Sequence, residues 1–109
     1  MIEVRRYLTR AGRTPVSEWI SELADAHAKA RIRDRIDRIS QGNLGDCRSL
    51  GGGLSELRID WGPGYRIYYA MIGRSCVLLL CAGDKRKQSS DIQRAREYFK
   101  DYKERTRIQ

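Results

Sequence analysis

Histidine is almost absent: His27 is the one imidazole in 109 residues. A site built on two imidazoles, one as general base and one as general acid, is therefore excluded. Cysteine is scarce too. Cys47, Cys76 and Cys81 are an odd number without paired spacing, which excludes a disulfide framework. They also lack the spacing and histidine company of a zinc site and read as small core residues, with Cys76 and Cys81 on opposite sides of one strand. No uncharged apolar run exceeds the 7 residues from Cys76 to Ala82, far short of a bilayer span. Met1-Ile2-Glu3-Val4-Arg5-Arg6 holds no apolar leader, so no signal peptide is expected, and unpaired thiols point to a reducing cytoplasm. Linkers, repeats and low-complexity tracts are missing as well, and one domain over residues 1–109 is expected.

What the chain has in plenty is positive charge. Lys and Arg number 22 against 14 Asp and Glu, a net charge of +8. Such a balance suits a polyanionic partner, either nucleic acid or an acidic protein. The excess is spread out: residues 1–13, 27–41, 56–87 and 94–107 each net +3, so no single stretch forms a patch.

The pattern predicts the order β-α-α-β-β-β-α, an α+β class. Residues 2–9 alternate weakly and read as an edge strand. Thr14-Pro15 starts a helix whose stripe is Val16, Trp19, Ile20 and Leu23. A second helix runs from about Asp25 to Gln41 on Ala28, Ile32, Ile36 and Ile39, with Gly42 as its cap, and the two form an antiparallel hairpin. Residues 42–53 read as loop, and Gly51-Gly52-Gly53 as a flexible linker rather than a phosphate loop, because no Lys-Ser/Thr follows. Leu54–Asp60, Tyr65–Ile72 and Ser75–Ala82 form an antiparallel meander, the last strand apolar enough for cover on both faces. A final helix capped by Ser89 or Ser90 buries Ile92, Ala95, Phe99 and Tyr102, and residues 103–109 read as a frayed tail.

Leu54-Ser55-Glu56-Leu57-Arg58-Ile59, Gly62-Pro63-Gly64-Tyr65-Arg66-Ile67-Tyr68-Tyr69, Val77 to Lys85, Gln88 and Asp91-Ile92 together resemble the RelE/ParE toxin superfamily. The likeness is to its phage-derived, HigB-like "addiction module killer protein" branch, and Pro15-x-x-Glu18-Trp19 and Arg35 to Ile39 share it. The resemblance implies a small basic toxin of a type II toxin–antitoxin module, with a RelE/ParE-like antiparallel sheet packed against the N-terminal helical hairpin and a C-terminal helix. It implies a cognate antitoxin, usually a helix-turn-helix protein, in a hetero-oligomer. Many members cut mRNA, commonly on the ribosome; the ParE branch instead inhibits DNA gyrase and cuts no RNA. A degenerate homologue that only binds antitoxin is a third alternative.

Cutting RNA requires a proton taken from the 2′-OH, charge stabilised on the phosphorane, and a proton given to the leaving 5′-oxygen. With His27 on a helix surface, basic side chains and tyrosines must supply these. Arg58 and Glu56, at i and i+2, share a strand face; Arg58 suits the scissile phosphate with Glu56 orienting it, and a cross-strand salt bridge is the structural alternative. Hairpin pairing brings Arg66 near Arg58, an arrangement that suits an anion between them, with an Arg66–Glu56 pair as the alternative. Lys85, in Asp84-Lys85-Arg86-Lys87, would stabilise charge or move a proton, or sit on a solvated turn; Asp84 anchors the turn. Arg86 and Lys87 are candidates for RNA contact. Tyr68 shares a face with Arg66 and is expected in a wet, catalytic role, and Tyr98 is a candidate for stacking on a base. No metal or organic cofactor is called for.

Overall fold

The computed structural model describes residues 1–107. The elements are β1 (Glu3–Arg6), α1 (Pro15–Glu22), α2 (Ala26–Ser40), β2 (Cys47–Gly51), β3 (Leu54–Ile59), β4 (Tyr65–Ile72), β5 (Cys76–Asp84), a 3-10 turn (Lys85–Lys87) and α3 (Gln88–Thr106). The class is α+β, as the pattern predicts. The sheet order is β1-β5-β4-β3-β2. β2, β3, β4 and β5 pair antiparallel, while β1 joins β5 in parallel, so the sheet is mixed and not antiparallel throughout as expected.

Local chemistry sets the helix ends. Pro15 opens α1, where its missing N–H has no partner to lose. Asp25 caps α2 by accepting from the His27 N–H at 2.9 Å. Gly42, at φ +86°, ends it: its N–H reaches the Ile39 carbonyl and the Asn43 N–H reaches the Arg38 carbonyl. α3 starts one residue before Ser89, because the 3-10 turn feeds straight into it; the Asp84 side chain caps that turn by accepting from the Arg86 N–H at 2.9 Å. The expected caps Ser89 and Ser90 therefore lie inside the helix.

Two further expectations are corrected. Residues 47–51 are a strand rather than loop, pairing Arg48 with Glu56, and the glycine run is the hairpin turn between β2 and β3, with Gly51, Gly52 and Gly53 all at positive φ. The chain from Lys103 to Thr106 stays helical rather than frayed. Arg105 pairs with Asp101 at 2.8 Å and also donates to the Leu8 carbonyl. Residues 108 and 109 lie outside the described residues.

The sheet has helices on both faces. On one, Val16 and Ile20 of α1 and Ala28, Ile32, Ile36 and Ile39 of α2 pack on Leu57, Ile59, Ile67, Tyr69, Val77 and Leu79. On the other, Ala95, Ile92, Tyr98, Phe99 and Tyr102 of α3 cover Leu54, Tyr68, Ala70, Leu78 and Leu80. Each fully buried isoleucine or leucine contributes about 1.5–3 kcal/mol. β5 lies between two strands and two helical layers, which is why its sequence is apolar at nearly every position. A bulge between Tyr68 and Tyr69 shifts its pairing, so Cys81 joins Leu78 and Leu80 on the α3 face. Counting five residues from Cys76 across that bulge does not place the two thiols on opposite faces.

Tyrosine burial gives the fold an alkaline limit. Burial, then the bond to Asp101, pushes the Tyr7 phenol up to about 12. Burial pushes Tyr69 to about 12 and raises Tyr68 further. These folded values lie above the ordinary phenol value near 10, so the fold holds protons that the unfolded chain releases first. The contribution is complete below pH 10 and is lost as pH rises from 10 toward 12. Melting curves between pH 8 and 11 should show Tm steady up to about pH 9.5 and falling beyond it, and Tyr7→Phe should make that fall shallower.

Candidate functional site

The β3–β4 hairpin and the end of β5 build a cleft of about 420 Å³. Its tight turn carries Gly62-Pro63-Gly64, with Gly62 and Gly64 at positive φ. The register sets Arg58 directly opposite Arg66. β5 delivers Lys85 to the same place, since the Lys85 N–H donates to the Gly64 carbonyl at 2.8 Å. Arg58, Arg66 and Lys85 thus line one cleft, with Asp46 and Asp60 on its rim. The sequence-predicted trio comes together.

Like charges directly opposite one another weaken a sheet, and here each arginine has its own counter-charge. Arg58 donates to Asp46 at 2.7 Å, and that bond holds its guanidinium charged. Arg66 lies 3.7 Å from a Glu56 oxygen, too long for a hydrogen bond, and its buried Nε has no partner. Glu56 is fully buried. It accepts from Arg48 at 2.7 Å and from Gln88 at 3.1 Å. Glu56 therefore faces Arg66, the alternative pairing, and bonds Arg48 and Gln88; it does not orient Arg58. Arg66 is the less exposed of the two arginines and the less committed, which leaves its fork free for an anion.

The other predicted residues lie elsewhere. Tyr68 does share the Arg66 face, but it is fully buried beneath α3 and its hydroxyl has no hydrogen-bond partner. The expected wet role is corrected: α3 covers that face two residues in from the turn, and burial pushes the phenol up. Tyr68→Phe should keep stability within about 1 kcal/mol of the parent, since it removes an unpaired buried hydroxyl. It should also leave activity intact; urea unfolding and a growth assay check both. Arg86 projects into solvent and pairs with Asp84, holding that carboxyl below its usual range. Lys87 and Tyr98 line a different hollow, at the outer edge of β5, and Tyr98 stacks on Tyr7 at 4.8 Å. His27, on α2, is exposed near Trp61 and is not among the residues that line the cleft.

Arg48, Gln88 and Asp46 were missed as parts of the site. Arg48 becomes visible only once residues 47–51 are read as a strand. Gln88 appeared in the sequence as a motif residue without a role.

The fold is a small basic α+β domain whose mixed sheet sets two arginines and a lysine around one open cleft. The chain belongs to the family described as "Phage derived protein Gp49-like (DUF891)", whose model matches residues 18–100. At a coarse level that family fits the toxin of a toxin–antitoxin pair. An uncharacterised protein of Haemophilus influenzae is 47% identical over 78 residues, 72% of this chain and 79% of that protein. The match to the family covers the cleft, Glu56 and the first part of α3. No helix among the described residues is long and apolar enough to cross a membrane.

Proposed function

We propose that the chain is a type II toxin of the RelE/ParE kind that cuts mRNA and is neutralised by a cognate antitoxin. The observation that carries this reading is the direct cross-strand pairing of Arg58 and Arg66 beside Lys85 in an open cleft. Three cations around a small cleft suit a phosphodiester better than a neutral ligand.

In the proposed reaction the 2′-oxygen bonds to phosphorus and the bond from phosphorus to the 5′-oxygen breaks. The products are a 2′,3′-cyclic phosphate and a 5′-OH. Arg66 and Arg58 hold the non-bridging oxygens, and Asp46 gives Arg58 up to the phosphate. Lys85 stabilises the phosphorane and passes a proton to the 5′-oxygen. No histidine stands in the cleft to take the 2′-proton, so water or a ribosomal group acts as base; a ribosome-bound mRNA is the substrate this favours. An acidic antitoxin segment, from a protein of the helix-turn-helix kind, would compete with RNA for the same three cations in a hetero-oligomer, and such a complex belongs in the cytoplasm.

The test is cleavage of a defined mRNA, with and without ribosomes, beside the same RNA carrying a 2′-deoxy sugar at the mapped cut. The reading expects a cut bearing a 5′-OH end, blocked by the single deoxy substitution. Growth arrest with intact RNA and an induced DNA-damage response would transfer the chain to the gyrase-inhibitor class.

A further inference from the structure

Arg35 on α2 is half-buried and is not among the residues that line the cleft. Its guanidinium is spent on main-chain carbonyls. Nη1 donates to the Arg58 carbonyl at 2.5 Å, and Nη2 donates to the Leu44 carbonyl at 3.1 Å and the Asp46 carbonyl at 3.3 Å. The Asp46 carbonyl also accepts from the Arg58 N–H at 2.8 Å. One planar group thus spans the two segments whose side chains meet at the cleft, where Asp46 and Arg58 lie 2.7 Å apart.

The loop before β2 is shaped to receive that group. Asn43 Oδ1 accepts from the Gly45 N–H at 3.1 Å and closes a local turn. Gly45 takes φ +64°, and a Cβ there would lie 3.0–3.3 Å from three atoms of the Arg35 guanidinium. A glycine both adopts that backbone and lets the loop lie against the fork. Two other anchors already hold the loop: the Asn43 N–H donates to the Arg38 carbonyl at 3.0 Å, and Leu44 packs on the core. What Arg35 adds is a link from the loop to the carbonyl of Arg58. Burial draws its pKa below the usual arginine value, so the position costs solvation that the carbonyl bonds must offset.

We infer that Arg35 is a positioning residue for the phosphate cleft: it sets Asp46 against Arg58 and so holds the Arg58 guanidinium across from Arg66. The inference rests on the endoribonuclease reading above and adds to it a residue that touches no substrate. Arg58 and Arg66 repel where they stand opposite each other, and Asp46 is the counter-charge that steadies Arg58. The Arg58 side chain is 39% exposed, so a slack Asp46 loop would let it swing to solvent. Lysine is a poor substitute at position 35. It keeps the charge, but a single ammonium cannot serve carbonyls at both ends of a fork.

The experiment compares the parent, Arg35→Lys, Arg58→Ala and the Arg35→Lys/Arg58→Ala double variant on the defined mRNA. It also records the arginine Nε–H spectrum of each protein without RNA. Arg35→Lys should lower kcat/KM by roughly 10- to 100-fold, the effect of a misplaced group. In the Arg58→Ala protein the same change should cost nothing further, because the residue it acts through is gone. The Arg58 resonance, assigned by its loss in Arg58→Ala, should shift in Arg35→Lys while that of Arg66 stays. Gly45→Ala, which presses on the same guanidinium from the loop side, should shift it too. Arg31→Ala removes another guanidinium of α2, one lying over the Trp61 ring at 4.0 Å, and should keep the parent rate. Thermal melts establish the fold of each variant. The same loss in both backgrounds, or an equal loss in Arg31→Ala, would overturn the positioning role. An Arg58 resonance that stays put in both Arg35→Lys and Gly45→Ala would overturn it as well. A parent that cuts no RNA would remove the endoribonuclease reading; the Arg58 resonance would then decide Arg35 alone, a shift supporting the inference and no shift overturning it.

Discussion

Arg66→Ala is expected to lower RNA cleavage by roughly 100- to 1,000-fold and to abolish growth inhibition, with the protein still folded. Arg66 stands opposite Arg58, is largely buried, and keeps a buried Nε without a hydrogen bond. The guanidinium is thus held in place by its surroundings, with only its outer part open to the cleft. In the proposed reaction its removal deletes donors for the charge that develops on phosphorus. Stability should survive, because Glu56 keeps its closer bonds to Arg48 and Gln88. Arg66→Lys sharpens the expectation. The charge remains but the planar fork is lost, so activity should recover only in part. Circular dichroism and a thermal melt establish the fold; a defined RNA substrate reads the activity. A fully active Arg66→Ala protein would remove the cleft from the account.

The second large effect falls on stability. Glu56→Ala should lower the unfolding free energy by about 2–3 kcal/mol, somewhat less than breaking a fully buried ion pair costs, because Arg48 can turn to solvent while Arg66 cannot. Glu56 is fully buried among Arg48, Arg66 and Gln88, with the Arg48 side chain 53% and the Arg66 side chain 14% exposed. For a chain of this size the melting temperature should fall by roughly 8–15 °C. Glu56→Gln keeps the shape and one acceptor, and should fall between. Glu56 acts here as a positioning residue, so its loss should also misplace Arg66. Raised RNA concentration should recover part of the lost rate in Glu56→Gln, because the phosphate itself reorients the guanidinium, whereas no concentration should rescue Arg66→Ala.

Much of this was legible in local pattern. Alternation and turn chemistry from Leu54 to Asp84 gave the meander, and the Gly62-Pro63-Gly64 turn brought Arg66 beside Arg58. Three things were not legible, each for a physical reason. β2 is five residues long, carries one polar alternation and ends in glycines, so its identity comes from pairing with β3 and not from its own composition. The parallel union of β1 with β5 joins segments about seventy residues apart, for which no local signal exists. Tyr68 and Glu56 show why a face is not an environment. Alternation places both on the side of Arg66, but only packing says that α3 covers them and stops short of Arg66 itself. Asp91 carries the same lesson, since its burial depends on a glycine eight residues earlier.

Arg58 and Arg66 are proposed to hold a phosphate while the chain cuts RNA. The decisive experiment maps 5′-OH ends in cellular RNA minutes after expression of the chain alone, beside the Arg58→Ala/Arg66→Ala double variant. New 5′-OH ends inside coding regions that disappear in the double variant are the predicted result. Growth arrest with no new ends, or ends that persist in the double variant, would contradict it.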